Sequence, residues 1–270
     1  MRGLVAVLLW IVATLAVVVA IPTSWAATHI QDQSGFIDFA SRLGDDTEVR
    51  EAAADLAGEA VADRSGAPVG LHDRIATAVE RAIMRFTDSS GWDDAWRETA
   101  RRTHEELFAE PTPTKIRVDF APIVRLALDD ATADLPISIP APRTLPVVVS
   151  EQDPRQRIEA VKRADDLALA ATAVAIVAAL GALALARKRS GMLAGLGVGA
   201  IFAAASWWLV GRIVVPRVVE RNTADSAYGS RLDDVLTDRI VASLDPTLVW
   251  VALGGAALVV LGMVSRALRS

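Results

Sequence analysis

Residues 167–210 read LALAATAVAIVAALGALALARKRSGMLAGLGVGAIFAAASWWLV, and this stretch decides the fold. It holds two apolar segments, Leu167–Ala186 and Met192–Val210, and neither contains an Asp, Glu, Lys or Arg. A helix needs roughly 17–25 residues of this kind to cross the hydrocarbon core of a bilayer. The basic run RKR stands between the two segments, at residues 187–189. The stretch therefore predicts two membrane-spanning helices joined by a short basic turn.

Two more segments of this composition stand near the ends of the chain, at Leu4–Ile21 and Thr247–Val264. Four such segments in a chain of 270 residues, 52% of them apolar, predict a four-span membrane protein. Ser24 and Ala26 follow the first segment, as small residues do in a cleaved signal peptide. However, the apolar run of about 18 residues exceeds the roughly 7–15 of such peptides, so we expect an uncleaved anchor.

Basic residues indicate how the spans are oriented. Six of them stand next to the spans without any acid nearby in the sequence: Arg2, Arg187, Lys188, Arg189, Arg266 and Arg269. All 33 acids stand in residues 28–166 and 217–246. Short basic loops stay in the cytoplasm. We therefore predict a multi-pass protein of the cell membrane with both termini cytoplasmic, and with residues 28–166 and 213–246 extracytoplasmic.

The first extracytoplasmic region, residues 28–153, is predicted to be an α-helical domain. Apolar residues recur at helical spacing from Leu71 to Phe86, with charged residues on the opposite side. Residues Ile116–Phe120 and Leu145–Val149 alternate as strands do, and we expect them to form a short two-stranded ribbon. The predicted fold class is mainly α, with four transmembrane helices, an α-helical extracytoplasmic domain and this ribbon.

The sequence GWDDAWRETARRTHEELF, at residues 91–108, holds the most side chains that could form a site. One ridge of a helix carries the residues that recur in steps of four: Trp92, Trp96, His104 and Phe108. Packing is the simpler interpretation of this ridge, and partner binding is the alternative. The charged residues are expected to pair within the helix at i,i+4: Asp93 with Arg97, Glu98 with Arg102, Arg101 with Glu105, and Arg102 with Glu106. A catalytic or ligand-binding histidine would need partners from elsewhere in the fold.

We next consider whether helices of the polar regions continue into the spans. The dipeptide Asp153-Pro154 is typical of a helix start, and no breaker follows it before the second span. We therefore predict one continuous helix over residues 154–186. In the second extracytoplasmic loop, residues 213–246, we expect an amphipathic helix, with Asp245-Pro246 beginning the fourth span.

Glycines in the third span predict close contact between helices. Gly191, Gly195 and Gly199 are four residues apart, and small residues at that spacing let two helix backbones approach each other. A dinucleotide-binding loop has a similar appearance, but it follows a strand in a soluble βαβ unit. Helix packing is therefore the prediction.

Motifs of catalysis are missing from the sequence. It contains no G-x-S-x-G, no P-loop, no zinc or calcium spacing and no cysteine. The spans hold no ionisable residue apart from Arg212 near one end, whereas ion-coupled transporters keep such residues at mid-membrane. We therefore expect a protein that is not an enzyme, with no cofactor, no metal and no nucleic-acid partner.

Three polar segments stand out beside the spans: DDTEVREAAADLAGEAV (45–61), WDDAWRETARRTHEELF (92–108) and IRVDFAPIVRLAL (116–128). With the first span and the LALAATAV that opens the second, they resemble a group of four-span integral membrane proteins of high-GC Gram-positive bacteria. Those proteins carry a helical extracytoplasmic loop domain. The resemblance implies location and architecture, and it implies no activity.

These features predict a non-enzymatic integral membrane protein whose extracytoplasmic domain binds a partner. The partner would be either a protein of an envelope or membrane complex or a second copy of the chain. In the first case the chain serves the complex as an accessory or scaffold subunit. The spans contact the lipid bilayer. Two alternatives stay open: a transporter or channel subunit capped by the outer domain, and an envelope enzyme that uses His104. The predicted segments are 1–27 (first span), 28–153 (outer domain), 154–186 (helix into the second span), 187–191 (cytoplasmic turn), 192–212 (third span), 213–246 (second outer loop), 247–265 (fourth span) and 266–270 (cytoplasmic tail).

Overall fold

The computed structural model describes residues 2–131, 142–150, 153–214 and 229–268. Within them the chain is mainly helical with one small two-stranded antiparallel sheet, which confirms the predicted fold class. The first elements are α1 (Arg2–Ala26), α2 (Gln33–Gly44), α3 (Thr47–Arg64), α4 (Val69–Phe86), α5 (Trp92–Leu107), β1 (Ile116–Asp119) and α6 (Ala121–Ala131). They are followed by β2 (Pro146–Ser150), α7 (Arg155–Val161), α8 (Ala164–Leu185), α9 (Arg189–Leu209) and α10 (Gly229–Ala267). α1 and α9 continue into π-helical turns, Ala27–Gln31 and Val210–Val214.

Contacts between residues divide the chain into two compact units. The span unit comprises the described parts of residues 1–28, 163–221 and 237–270. The polar unit comprises the described parts of residues 29–162 and 222–236.

Four helices among the described residues are long and apolar enough to cross a membrane. They cover Arg2–Gln31, Ala164–Leu185, Arg189–Ile213 and Arg239–Ala267, and each overlaps one of the four predicted spans. Large apolar side chains on these helices are exposed, as lipid-facing residues are: Leu8, Leu169, Phe202 and Leu253 are examples. The chain is therefore a multi-pass membrane protein.

Two indole hydrogen bonds show that α1 and α9 run in the same direction. Near the start of both helices, Trp10 Nε1 donates to the carbonyl of Gly195 at 2.7 Å. Near the end of both helices, Trp207 Nε1 donates to the carbonyl of Val18 at 2.7 Å. The beginning of α1 therefore lies beside the beginning of α9.

Glycine contacts show that α10 runs antiparallel to α9. A Cβ added to Gly197 of α9 would lie 2.3 Å from the carbonyl oxygen of Gly255, in the middle of α10. A Cβ added to Gly262 would lie 2.6 Å from the carbonyl oxygen of Ser190, at the start of α9. The end of α10, the start of α1 and the turn between α8 and α9 are consequently at one end of the span unit.

The core of the polar unit is built mainly from α3, α4, α5 and α6. Its largest fully buried side chains are Trp92, Ile83, Ile123, Leu145, Val49 and Val124. Alanines and Gly58 of α3 allow α4 to approach closely, because a Cβ at Gly58 would lie 2.6 Å from the carbonyl oxygen of Ala76. The predicted ribbon is confirmed: β1 pairs with β2, with Val118 opposite Val147.

The predicted continuous helix over residues 154–186 is wrong, because it is interrupted at Lys162 and Arg163. Arg163 has φ −108° and ψ 10°, outside helical values. The carbonyl of Lys162 accepts a hydrogen bond from Gln31 Nε2 at 3.3 Å, and the ammonium of Lys162 lies 2.5 Å from a carboxylate oxygen of Glu110. Contacts with residues distant in sequence therefore hold this position outside the helix that the local pattern favours.

The predicted start of a separate helix at Asp245-Pro246 is also wrong, whereas the residue at which the fourth span enters the membrane stays a prediction. α10 is continuous and contains Pro246 in its interior. Proline within a span is tolerated where its neighbours compensate for the lost hydrogen bond. The predicted second loop falls partly outside the described residues, at 215–228, and so do the side chains of residues 229–238.

Candidate functional site

The predicted ridge of α5 lies against the C-terminal end of α2. Trp92 is 1% exposed, and its Nε1 donates to the carbonyl of Gly44 at 3.1 Å. Trp96 is partly buried, and its Nε1 donates to the carbonyl of Ala40 at 2.6 Å. The two indole rings stack with their centroids 5.5 Å apart. Both tryptophans are thus engaged in packing α5 on α2.

Gly44 and Arg50 complete this contact, although no sequence motif marked either residue. A Cβ at Gly44 would lie 2.7 Å from Cδ1 of Trp96, so only glycine leaves room for that ring. Arg50 Nε donates to the Gly44 carbonyl at 2.6 Å, and its guanidinium carbon lies 5.8 Å from the centroid of the Trp92 ring. At that distance an arginine is attracted to the face of an indole. The one sequence feature that could have indicated this contact is the glycine that directly precedes Asp45-Asp46, where α3 begins.

A small cleft of about 130 Å³ lies beside the two indoles. Its lining residues are Ser41, Gly44, Asp45, Trp92, Asp93, Trp96 and Arg97. Pockets that hold cofactors or drug-sized ligands measure roughly 300–1,000 Å³. The cleft is therefore smaller than a typical small-molecule site.

His104 closes the other end of the ridge. It is 7% exposed, and its Nε2 lies 3.2 Å from the carbonyl oxygen of Ile30 and 3.1 Å from that of Gln31. Its ring stacks on Phe108 at 4.5 Å and contacts Phe36 at 5.3 Å. The imidazole N–H thus satisfies carbonyls at the end of a helical segment, where no intrahelical donor is left.

The other two histidines have contacts of their own within the polar unit. His29 meets the ring of Phe39 edge-on at 6.3 Å. The Nε2 of His72 lies 2.8 Å from a carboxylate oxygen of Asp63, and this hydrogen bond raises the pKa of His72. Among the described residues, no carboxylate forms a hydrogen bond with His104.

On the charged side of α5, two of the four predicted i,i+4 pairs are confirmed, Glu98 with Arg102 at 2.8 Å and Arg101 with Glu105, and other contacts replace the remaining two. Arg97 contacts Asp38 of α2 at 3.4 Å instead of Asp93, and Glu106 binds Arg117 of β1 at 3.1 Å instead of Arg102. These two pairs were wrongly predicted because side chains of neighbouring elements compete with those one turn along the same helix.

Glu98 and Asp119 anchor a network of arginines. Hydrogen bonds from Arg101, and then from Arg102, lower the pKa of Glu98 to about 2. Arg102 also reaches Asp119, which is 8% exposed, at 3.0 Å. Asp119 accepts hydrogen bonds from the backbone N–H of Leu145 at 2.6 Å and from that of Ala121 at 3.1 Å. Asp119 therefore joins α5, α6 and the residue before β2.

The predicted glycines of the third span differ in their surroundings. A Cβ at Gly199 would lie 2.4 Å from Oγ1 of Thr14, and one at Gly195 would lie 3.7 Å from Nε1 of Trp10. Both positions face α1. A Cβ at Gly191 would meet no atom within 4 Å, so close packing does not extend to that residue.

Pro22 interrupts the hydrogen bonding of α1, and Trp207 compensates for it. Proline has no N–H, so the carbonyl of Val18, four residues earlier, loses its helical donor. That carbonyl is the acceptor of the Trp207 indole. Near the same end of the span unit, Trp25 Nε1 donates to Ser243 Oγ at 3.0 Å. These tryptophans therefore bond neighbouring helices, whereas Trp250 is 74% exposed.

The α4 face is one side of α4 on the polar unit, formed by the exposed Leu71, Arg74, Ala78, Arg81 and Arg85 with the partly buried Met84 beside them; Asp73 and Thr77 of α4 are exposed as well. Leu71 is 45% exposed although it belongs to the predicted apolar stripe. Ala78, Arg81, Met84 and Arg85 line an open depression of about 520 Å³. Among the described residues, none of the three arginines forms an ion pair with an acid.

The described residues hold no group of three or more His, Cys, Asp or Glu side chains that could bind a metal ion. The chain matches no protein-family model, no curated protein and no solved structure. Its function is therefore argued from its own geometry.

Proposed function

We propose that this multi-pass membrane protein is non-enzymatic and that its polar unit lies outside the cell and binds a protein partner. It would act as an accessory or scaffold subunit of an envelope or membrane complex. The observation that carries the proposal is the α4 face, which combines three exposed arginines with exposed apolar area.

The spacing of the α4 face favours a partner along the helix axis. Leu71, Arg74, Ala78, Arg81 and Arg85 follow one another at intervals of three or four residues, so they lie on one side of α4. The other side supplies Ile83, which is fully buried, to the core. The tryptophan ridge of α5 is occupied by α2, and the α4 face is thus the better candidate for binding.

The chemistry of the α4 face favours an acidic, amphipathic helix as the partner. Arginine forms paired hydrogen bonds with carboxylates, and its guanidinium is weakly hydrated, which suits it to protein interfaces. Leu71 and Met84 offer apolar area, and methionine adapts to irregular partner surfaces. Acids outnumber basic residues in residues 28–166, so the basic α4 face differs in sign of charge from that region as a whole.

A photocrosslinking experiment tests the α4 face. The chain has no cysteine, so Ala78→Cys can carry a maleimide–benzophenone probe at one site in native membranes. Ala109→Cys, also at an exposed alanine, is the matched control. We expect an adduct from position 78 and not from position 109, with mass spectrometry assigning the attached peptide to an acidic amphipathic helix. Arg81→Glu and Arg85→Glu should abolish that adduct.

Two results would contradict the partner proposal. One is attachment of the probe only to residues 222–244 of the same chain, which would mean that the chain's own second loop occupies the α4 face. The other is an adduct that survives both charge reversals.

The orientation is tested separately with single cysteines. Ser90 lies in the polar unit, and Ser190 lies in the span unit directly after the basic run 187–189. A membrane-impermeant maleimide added to intact cells should label position 90 and should leave position 190 unlabelled until the cells are opened. Labelling of both positions in intact cells would refute the proposed topology.

A further inference from the structure

The basic end of the span unit is the second strongly charged surface of the molecule. It consists of five residues that the antiparallel arrangement of the helices brings to one end: Arg2, Arg187, Lys188, Arg189 and Arg266. All five are exposed. The contact of Gly262 with Ser190 places the end of α10 beside the start of α9, and the Trp10–Gly195 hydrogen bond places the start of α1 there too.

No acid balances these charges. Residues 1–27, 167–216 and 247–270 contain no Asp or Glu. The acids nearest to them in sequence, Asp166 and Asp245, stand at the opposite ends of α8 and of the fourth span, about 30 Å away at 1.5 Å per residue. Among the described residues, none of the five cations forms an ion pair.

We propose that the basic end binds the phosphate headgroups of anionic phospholipids. Arginine and lysine donate charge-assisted hydrogen bonds to phosphate, and basic residues beside a span attract anionic lipids. Apolar side chains next to the cations can contact the acyl chains: Leu4 is 70% exposed and Leu268 is 82% exposed. A free phosphate would use only the cations, whereas a lipid also uses this apolar area. The lipid is therefore the favoured ligand.

Native mass spectrometry of the full-length chain, released from nanodiscs of stated composition, measures this binding. We expect retention of phosphatidylglycerol in preference to phosphatidylcholine. The combined change Arg187→Gln, Lys188→Gln and Arg189→Gln should weaken that retention by roughly fivefold for each charge, or about a hundredfold in total. The single change Arg266→Gln should weaken it by roughly fivefold. The control variant carries Arg74→Gln, Arg81→Gln and Arg85→Gln, which remove three charges from the polar unit, and should retain the lipid as the unmodified chain does.

Several results would overturn the proposal. These are equal retention of the two lipids, unchanged retention in both the triple and the Arg266 variant, and an equal loss in the control variant. Displacement of phosphatidylglycerol by millimolar inorganic phosphate would show that the cations recognise phosphate alone. If the triple variant does not fold, the Arg266→Gln chain decides the outcome, because it changes one exposed side chain.

Discussion

The hydrogen bond between Trp207 and Val18 exists because Pro22 leaves a carbonyl without its helical donor. Trp207→Phe removes the indole N–H while keeping most of the ring. In the Pro22 chain this exposes the Val18 carbonyl to an apolar surrounding without any donor. In a Pro22→Ala chain, the new N–H of residue 22 can bond Val18 in the ordinary helical manner. The loss in free energy of unfolding caused by Trp207→Phe should therefore depend on which residue stands at position 22.

The magnitude follows from the cost of an unsatisfied buried acceptor. Such a group costs about 1–3 kcal/mol, and hydrogen bonds between spans have measured about 0.6 kcal/mol on average and up to about 1.7 kcal/mol. We expect Trp207→Phe to cost about 1–2 kcal/mol more in the Pro22 chain than in the Pro22→Ala chain. Loss of ring packing is common to both backgrounds and cancels in the difference.

The assay is a double-mutant cycle in mixed micelles, with unfolding driven by a denaturing detergent. A single cysteine at Ala182, which is fully buried, reports opening of the span unit through its labelling rate. Trp10→Phe is the control, because its acceptor Gly195 is not paired with a proline and its cost should be equal in both backgrounds. A coupling energy below about 0.3 kcal/mol between positions 22 and 207 would refute the reasoning.

Three further predictions concern the polar unit. Trp92→Ala should lower its free energy of unfolding by about 3–5 kcal/mol, measured by labelling of a buried cysteine, because the whole indole is lost from the core. Hydrogen bonds, chiefly from Arg101, lower the pKa of Glu98 from 4.5 to about 2, so the stability they contribute is present above pH 4.5 and is lost as the pH falls toward 2. Glu98→Gln should therefore flatten stability measured over that pH range. Thr99 is 4% exposed and its hydroxyl has no partner among the described residues, so Thr99→Val should leave the melting temperature unchanged or raise it, whereas Thr103→Val should lower it.

Each of these changes has a control and a contradicting outcome. Trp250→Ala, at an indole that is 74% exposed, should not affect the polar unit, and a loss as large as that of Trp92→Ala would contradict the packing argument. Glu51→Gln alters an exposed carboxylate of α3, and an acid transition that it changes as much as Glu98→Gln does would remove the special role of Glu98. A clear destabilisation by Thr99→Val would show that its hydroxyl is bonded.

Much of the architecture could be predicted because it depends on local properties of the chain. Whether residues 167–210 enter a bilayer depends on the transfer of each side chain from water, which does not need the rest of the fold. The alternation around Val118 and Val147 likewise reports which side of a strand is buried. The ridge from Trp92 to Phe108 could be placed on one side of a helix for the same reason.

The residues that each helix face contacts could not be predicted, since those contact residues are distant in sequence. Nothing local indicates that Gly44 supplies the surface for Trp96, or that Arg97 would choose Asp38 over Asp93. The α4 face was likewise hidden, because the apolar character of Leu71 predicts burial and only the packed helices show that it is left exposed.

The two predictions about where a helix begins and ends show most clearly what the sequence determines and what only the tertiary structure decides. Sequence determined the four spans and the separation of basic from acidic residues, since each depends on the sum over neighbouring side chains. Tertiary structure decided that the helix stops at Lys162 and that it continues through Pro246. A helix ends or continues according to whether its backbone groups find donors and acceptors, and those partners, such as Gln31 for Lys162, are brought close only by folding.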